Sequence, residues 1–253
     1  MEVGGFVVGV VGLASLFNNV IDSFEYVHIA KSFGSNFQTS LLKLENARLR
    51  LSRWGDALGL SGGSVNDQTT LPSNVWSEAD KRKAEQLLGQ ILACFNQAWK
   101  ISDQYEMSKN PDDKQNVSDL MTLSLREKMR ELSIKRQNRA SLAKKLKFAL
   151  HDEKHLKLLV GDITALTSEL VDLFPAHKAK QTELAAREVA DFSDSFRVLS
   201  LAATGQDELL VSALAQILKP ANNLMTFNTE KSNIMKMGTD TGGHYEMKVG
   251  SPF

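Results

Sequence analysis

VGGFVVGVVGLASLFNNVI, residues 3–21, contains no Lys, Arg, Asp, Glu or His, and after Glu2 the first charge in the chain is Asp22. At ~1.5 Å per residue a helix over this stretch runs about 28 Å, close to the ~30 Å hydrocarbon core of a bilayer. Such a segment at the head of a charged chain has two physical fates. It packs as a core helix of a bundle, or it leaves the bundle and enters lipid. Gly4, Gly5, Gly9, Gly12, Ser15, Asn18 and Asn19 dilute its apolar content and make it a poor permanent anchor. It has neither the basic start of a secretory signal nor a small-residue cleavage pattern before Asp22. Gly5 and Gly9 have the spacing that lets helices approach closely, in a membrane or in a bundle. Each glycine also costs a helix in water about 1 kcal/mol, so the segment is expected to be only marginally held.

The remaining pattern predicts an all-α, multi-helix bundle. The first helix is expected over 5–31. A second over 37–58 carries Leu41, Leu44, Leu51, Trp54 and Leu58 on one stripe, with Arg48, Arg50 and Arg53 off it, and stops at Gly59. A third runs from a cap at Ser73 or Asn74 to Met107, with Leu87, Leu88, Ile91, Phe95, Ala98 and Ile101 inward. A fourth, 117–150, turns Leu120, Leu125, Met129, Leu132, Leu142 and Leu146 inward. A fifth, 152–174, uses Leu156, Leu159, Val160, Ile163, Leu166 and Leu170. A sixth, 177–203, uses Leu184, Val189, Phe192, Phe196 and Leu199, and a short seventh covers 206–218 before Pro220. No cluster of two-residue periodicity appears in this region.

Composition sets further bounds. The chain has 253 residues, enough for one helical domain over 1–220 and an appendage over 221–253. Lys plus Arg and Asp plus Glu both number 30, so bulk charge points to neither nucleic acid nor an acidic partner. Cys94 is the single cysteine, which excludes an internal disulfide and fits a reducing compartment. The appendage is rich in Asn, Thr, Gly and Met and lacks helical periodicity. It is expected to be disordered alone. Within it Met235-Lys236-Met237-Gly238-Thr239 recurs as Met247-Lys248-Val249-Gly250-Ser251. Strand-turn units of this kind stack into a β-solenoid when other chains supply the missing edges.

Catalytic constellations are absent from the sequence. His151 and His155 share a helix face, but Asp152 stands where a zincin has Glu and no third ligand is evident, so two solvated helix-end histidines are expected. No phosphate loop or Gly-x-Ser-x-Gly occurs, and Cys94 falls on the apolar face of the third helix. The reading is of a non-enzyme without metal or cofactor. Arg126, Lys128, Arg130, Lys135, Arg136, Arg139, Lys144, Lys145 and Lys147 face only Glu127 and Glu131 over their own stretch. They are either a surface for anionic lipid or a solvated face that pairs with acidic neighbours on other helices. No aromatics interleave, which argues against nucleic acid.

Several motifs carry a family resemblance. They are Gly12-Leu13-Ala14-Ser15-Leu16-Phe17-Asn18-Asn19, Asp22-x-Phe24-Glu25-Tyr26-Val27, Phe33-Gly34 and Ala47-Arg48-Leu49-Arg50-Leu51-Ser52-Arg53-Trp54-Gly55, with looser matches at Ser141–Lys145, Phe148-Ala149-Leu150 and Phe174-Pro175. Over about residues 1–220 the chain resembles the HeLo domain of the fungal HET-s/HET-S heterokaryon-incompatibility proteins. Asn222, Phe227, Thr229-Glu230-Lys231 and Met235-Lys236-Met237-Gly238 resemble that family's prion-forming repeat. Full prion domains of the family carry two repeats. This chain has one clear copy, with Thr239 in place of the usual Asn.

The resemblance implies a cell-death effector. Its tail is templated into a β-solenoid by an amyloid-forming partner, its N-terminal segment is freed, and the protein oligomerises at the membrane. The implied membrane-inserting residues are Gly5, Phe6, Val7, Val8, Gly9, Val10, Val11, Gly12, Leu13, Leu16, Phe17, Asn18 and Asn19. The switch positions at the end of the first helix are Asp22, Glu25 and Ser32, and the amyloid motif is Asn222, Phe227, Thr229, Glu230, Met235, Met237 and Gly238. The implied partners are a second copy of the chain (a dimer when soluble), the amyloid-forming protein and membrane lipids. The implied location is the cytoplasm, with relocation to the plasma membrane. The alternative is a soluble helical adaptor or inhibitor that oligomerises without inserting.

Overall fold

Two apolar stripes on one helix organise the bundle. In the computed structural model, which describes residues 10–29, 35–61, 77–106, 120–137, 148–150 and 153–218, helix α2 (Ser35–Ala57) lies between two separate clusters of buried side chains. All described residues belong to the first of two units, Met1–Lys219 and Pro220–Phe253. Leu44, Ala47, Leu51 and Trp54 of α2, with Leu58 just past its end, face the first cluster, shared with α1 (Val10–Ser23), α3 (Glu78–Glu106) and α5 (Glu153–Leu173). Leu42 and Leu49 face the second, shared with α4 (Leu120–Lys135), α6 (Lys178–Asp191), α7 (Phe196–Ala203) and α8 (Glu208–Leu218). A helix buried on two sides has no broad solvent face, and Arg48 and Arg53 are accordingly 1% and 0% exposed.

Local chemistry sets the element ends. α2 stops at Gly59, whose φ of +75° suits a residue without a side chain. The Leu60 amide donates to the Gly55 carbonyl at 2.8 Å and the Gly59 amide to that of Asp56 at 3.1 Å, which closes the last turn in a Schellman pattern. α3 begins in a reciprocal capping box. The Asp80 amide donates to Ser77 Oγ (3.0 Å) and the Ser77 amide to Asp80 Oδ2 (3.3 Å). The cap is therefore Ser77, not Ser73 or Asn74, because only Ser77 has an acidic residue at the third helical position.

Three other boundaries differ from the sequence reading. The first helix ends at Ser23. A 3-10 turn (Phe24–Tyr26) follows, then strand β1 (Val27–Ile29), which pairs in parallel with β2 (Phe148–Leu150), Val27 opposite Phe148. Residues 148–150 are thus strand where the fourth helix was expected to end, and α4 stops at Lys135. The expected sixth helix breaks at Phe192 into α6 and α7, because Ser193, Asp194 and Ser195 offer the backbone local partners and the Ser195 amide closes a tight turn on the Phe192 carbonyl. Leu120, expected inward, is 82% exposed at the first residue of α4. Leu142 and Leu146 lie outside the described residues. The all-α class holds with this small strand pair added.

Between the clusters runs a chain of buried charges. Arg53 Nη1 and Nη2 donate to Asp207 Oδ1 and Oδ2 (3.0 and 2.8 Å), and Arg53 Nε donates to both carboxylate oxygens of Glu188 (3.0 Å each). Glu188 also accepts from Arg136 Nη1 at 2.6 Å. These pairs fix the approach of α6, α8 and the end of α4 to α2.

Gly55 offers a sign test of the packing. A Cβ there would lie within 2.9 Å of Phe17 Cζ, Cε1 and Cε2. Helix propensity alone predicts that Gly55→Ala stabilises by about 0.5–1 kcal/mol. Overpacking against a buried ring costs about 1–3 kcal/mol. The second effect is larger, so Gly55→Ala should melt lower, which thermal unfolding monitored by circular dichroism checks. A higher melting temperature would mean that the ring yields freely.

Candidate functional site: the seat of the N-terminal helix

α1 presents Leu13, Ala14, Phe17, Val20 and Ile21 as one buried face, continued by Phe24 in the following turn. The spacing is that of a helix lying on a core, with Ser15 and Asn19 left exposed on the other side. Each large side chain so buried contributes about 1.5–3 kcal/mol, gross, relative to exposure. Phe17 packs against the Trp54 ring, centroids 6.1 Å apart, and sits over Gly55. Trp54 is itself fixed, donating its indole N–H to the Leu170 carbonyl at 3.0 Å and meeting Phe174 on a further side. Phe24 packs edge-on to Phe95 of α3 at 4.9 Å. Phe17 is thus held against α2, with the Trp54 ring beside it and Gly55 beneath it.

Polar contacts hold the end of α1 and the turn after it. Gln137, in the turn that follows α4, donates its side-chain amide to Asp22 Oδ1 (2.6 Å) and to the Asn18 carbonyl (3.4 Å). Glu25 accepts from Arg130 Nε at 2.8 and 3.0 Å, from Arg130 Nη2 at 2.8 Å and from Arg48 Nη1. Burial raises the Glu25 carboxyl, but the hydrogen bonds and charges of Arg130 and Arg48 outweigh it and hold it below its ordinary value. Neighbouring Glu45 goes the other way. Burial pushes its carboxyl up, and Arg48 and Arg126, at 3.8 and 3.9 Å, stand too far to offset it. The basic run on α4 therefore pairs with acidic residues of other elements, Arg126 with Glu45, Lys128 with Asp194, Arg130 with Glu25 and Arg136 with Glu188. That is the pairing alternative of the two sequence readings for Arg126, Lys128, Arg130 and Arg136.

Of the expected membrane residues, Leu13 and Phe17 lie in the buried face, Asn18 is buried, Leu16 and Gly12 are half-buried and Asn19 is exposed. Val10 and Val11 lie in the first turn of α1. Gly5, Phe6, Val7, Val8 and Gly9 fall outside the described residues, as do Ser32, His151 and the motif residues Asn222, Phe227, Thr229, Glu230, Met235, Met237 and Gly238. Asp22 and Glu25 are brought together with Gln137, Arg48 and Arg130. The sequence pattern put Arg130 in a run that pairs with acidic residues of other helices without naming Glu25, and it gave Arg48 and Gln137 no partner. Arg48 carries a signal, standing within the apolar run of α2, but Gln137 carries none because its target is a tertiary contact.

Among the described residues no group of three His, Cys, Asp or Glu side chains could hold a metal ion. Cys94, half-buried beside His155 and Asp162, is kept a neutral thiol by burial and by the Asp162 charge. His155 is half-buried rather than solvated. A polar groove of about 650 Å³ between α2, α5 and the α7–α8 turn holds Lys43, Lys157 and several hydroxyls but no catalytic set.

The sign of the Glu25 shift sets a pH test. A carboxyl depressed in the folded state stabilises above its ordinary pKa of 4.5 and loses that contribution as pH falls through the folded value. At pH 7 Glu25→Gln should therefore cost about 1.5–3 kcal/mol. Below pH 4.5 the gap to the parent protein should close. Urea unfolding across pH measures it. An undiminished gap at low pH would assign Glu25 a role through shape rather than charge.

The HeLo family model, described as "Prion-inhibition and propagation", matches residues 5–201. The heterokaryon incompatibility protein S of Podospora anserina is 31% identical over 255 residues, covering 96% of this chain and 86% of that protein. The heterokaryon incompatibility protein s of the same fungus is 31% identical over 243 residues, covering 92% and 82%. Solved N-terminal domains of HET-s (a substituted form) and HET-S each match with a TM-score of 0.70 at 31% identity. Each match covers 81% of this chain, and 97% and 92% of the respective domains. Helical architecture and sequence thus agree over the same span, and the chain belongs to the HeLo family.

Proposed function

We propose that this protein is a cell-death effector of the heterokaryon-incompatibility type. In this reading it rests as a cytoplasmic dimer. An amyloid-forming partner with a similar motif templates residues 221–253, the seat of α1 loosens, and residues 1–22 are freed to oligomerise with other copies and disrupt the plasma membrane. The observation that carries the reading is the uncharged run Val3–Ile21, whose described part is held by one apolar face and a few polar contacts at its end. The relatives, both incompatibility proteins, support the biological setting.

The length of α1 bears on the mechanism. Among the described residues no helix is long and apolar enough to cross a membrane. The 14 residues of α1 reach about 21 Å, against a ~30 Å hydrocarbon core. Insertion in this reading draws on the uncharged residues 3–9 as well as on α1. The glycines that dilute the segment and the single clear repeat in the tail favour the second reading, a helical adaptor that oligomerises and never inserts.

Dye-loaded liposomes separate the two. With fibrils of the 221–253 peptide as seed, the effector should release dye, and without seed it should not. A Lys placed mid-helix opposes insertion by about 2.5–3.5 kcal/mol, roughly a hundredfold in the insertion equilibrium. Val10→Lys should therefore lose most of the leakage. No release under any seeding condition supports the adaptor, and full release by Val10→Lys rules out insertion of this segment.

A further inference from the structure

The buried charges between the two clusters do not stop at α4. Asp207 stands at the head of α8, the last described helix before residue 219. Its Oδ1 accepts the Leu210 amide at 3.2 Å and so caps α8, while both its oxygens are held by Arg53. The other edge of the same guanidinium holds Glu188, and Glu188 in turn holds Arg136 at 2.6 Å. Arg53 and Glu188 are 0% exposed, Asp207 1% and Arg136 8%. The next residue along the backbone, Gln137, reaches the opposite way and holds Asp22 and the Asn18 carbonyl of α1. Both residues sit in the closing turn of α4, their amides bonded to the Leu132 and Ile134 carbonyls.

We infer that this run, Asp207–Arg53–Glu188–Arg136 and then Gln137 to Asp22, couples the seating of α8 to the seating of α1. The argument is electrostatic. Where water is excluded, a charge that loses its partner cannot be compensated by solvent, so removing one member of a buried pair is strongly unfavourable. If α8 shifts, Asp207 leaves one edge of Arg53. Arg53 is then balanced by Glu188 alone, and Glu188 is shared with Arg136. A tighter Arg53–Glu188 pair draws on the nearer of the two carboxylates at Arg136, Glu188 at 2.6 Å against Asp56 at 3.7 Å, and the backbone carries that displacement one residue on to Gln137. α1 then keeps its apolar face but loses the amide at its last turn. The contacts are discrete, so the run has two arrangements, made and broken, as a two-state coupling element requires.

As the route of the switch this inference rests on the function proposed above. As a coupling inside the folded domain it needs neither tail seed nor membrane, so the two fail separately. Hydrogen exchange by mass spectrometry on the full-length, unseeded chain tests it. Asp207→Asn should speed exchange in α8 about tenfold and in α1 about threefold or more, with α5 changed less than about twofold. Linkage is reciprocal, so Gln137→Leu, which touches only the α1 end, should loosen α8 as well as α1. The double variant should loosen α1 no further than Gln137→Leu alone, because the connection is already cut. The inference is overturned if Asp207→Asn loosens α8 and leaves α1 unchanged, if α5 loosens as much as α1, or if the two effects multiply in the double variant. Should Asp207→Asn fail to fold, Gln137→Leu decides, and an α8 unaffected by it overturns the inference.

Discussion

Arg53 is a fully buried cation whose two edges are each held by a carboxylate. That arrangement constrains the helices of the second cluster. Burial works against the charge of Asp207, and the Arg53 guanidinium outweighs it, holding the carboxyl below its ordinary range. Such a pair adds little net stability compared with well-packed hydrocarbon, but it is strict about position. α2, α6 and α8 each contribute one charged group to it, so each is placed relative to the others within hydrogen-bond tolerance. A purely apolar seam of Leu and Ala would permit sliding. This one does not.

The seat of α1 is held in a different way. Its main fastening is the apolar face around Phe17, Ile21 and Phe24, which grips in proportion to area and has no directional preference. Direction comes from the far end, where Glu25 and Asp22 are bonded to α2, to α4 and to the turn after α4. The apolar face sets how firmly the helix is held, and the polar end sets where. A helix fastened in this way owes its position to its terminal contacts and its burial to its apolar face.

Much of this was legible from the chain alone. The inward stripes of α3 and α5 follow the 3.6-residue period, and Leu87, Leu88, Ile91, Phe95, Leu156, Leu159, Ile163 and Leu170 are all buried. The stop at Gly59 is a local matter of backbone conformation. What escaped was whatever depends on a partner distant in sequence. Val27–Ile29 reads as the tail of a helix because three residues carry no periodicity, and the strand exists only because Phe148–Leu150 lies alongside. Arg53 reads as a surface charge until Glu188 and Asp207 are placed beside it. The second apolar stripe of α2, Leu42 and Leu49, was hidden by the stronger first one. The candidate site was half legible. The run from Val3 announces itself, whereas Gln137 and Arg130 are ordinary polar residues until the fold brings them to the end of α1.

The three-residue strand pair fixes a pivot. β1 follows α1 after the three-residue turn Phe24–Tyr26 and is stitched to β2, which rests against α3 and α5. An isolated pair of this size is barely stable, so these helices must supply its support. The turn Phe24–Tyr26 is thereby anchored on both sides, by Phe24 and Glu25 within it and by the stitch after it. A disturbance that starts in α1 meets a fixed point within a few residues, before it reaches α2.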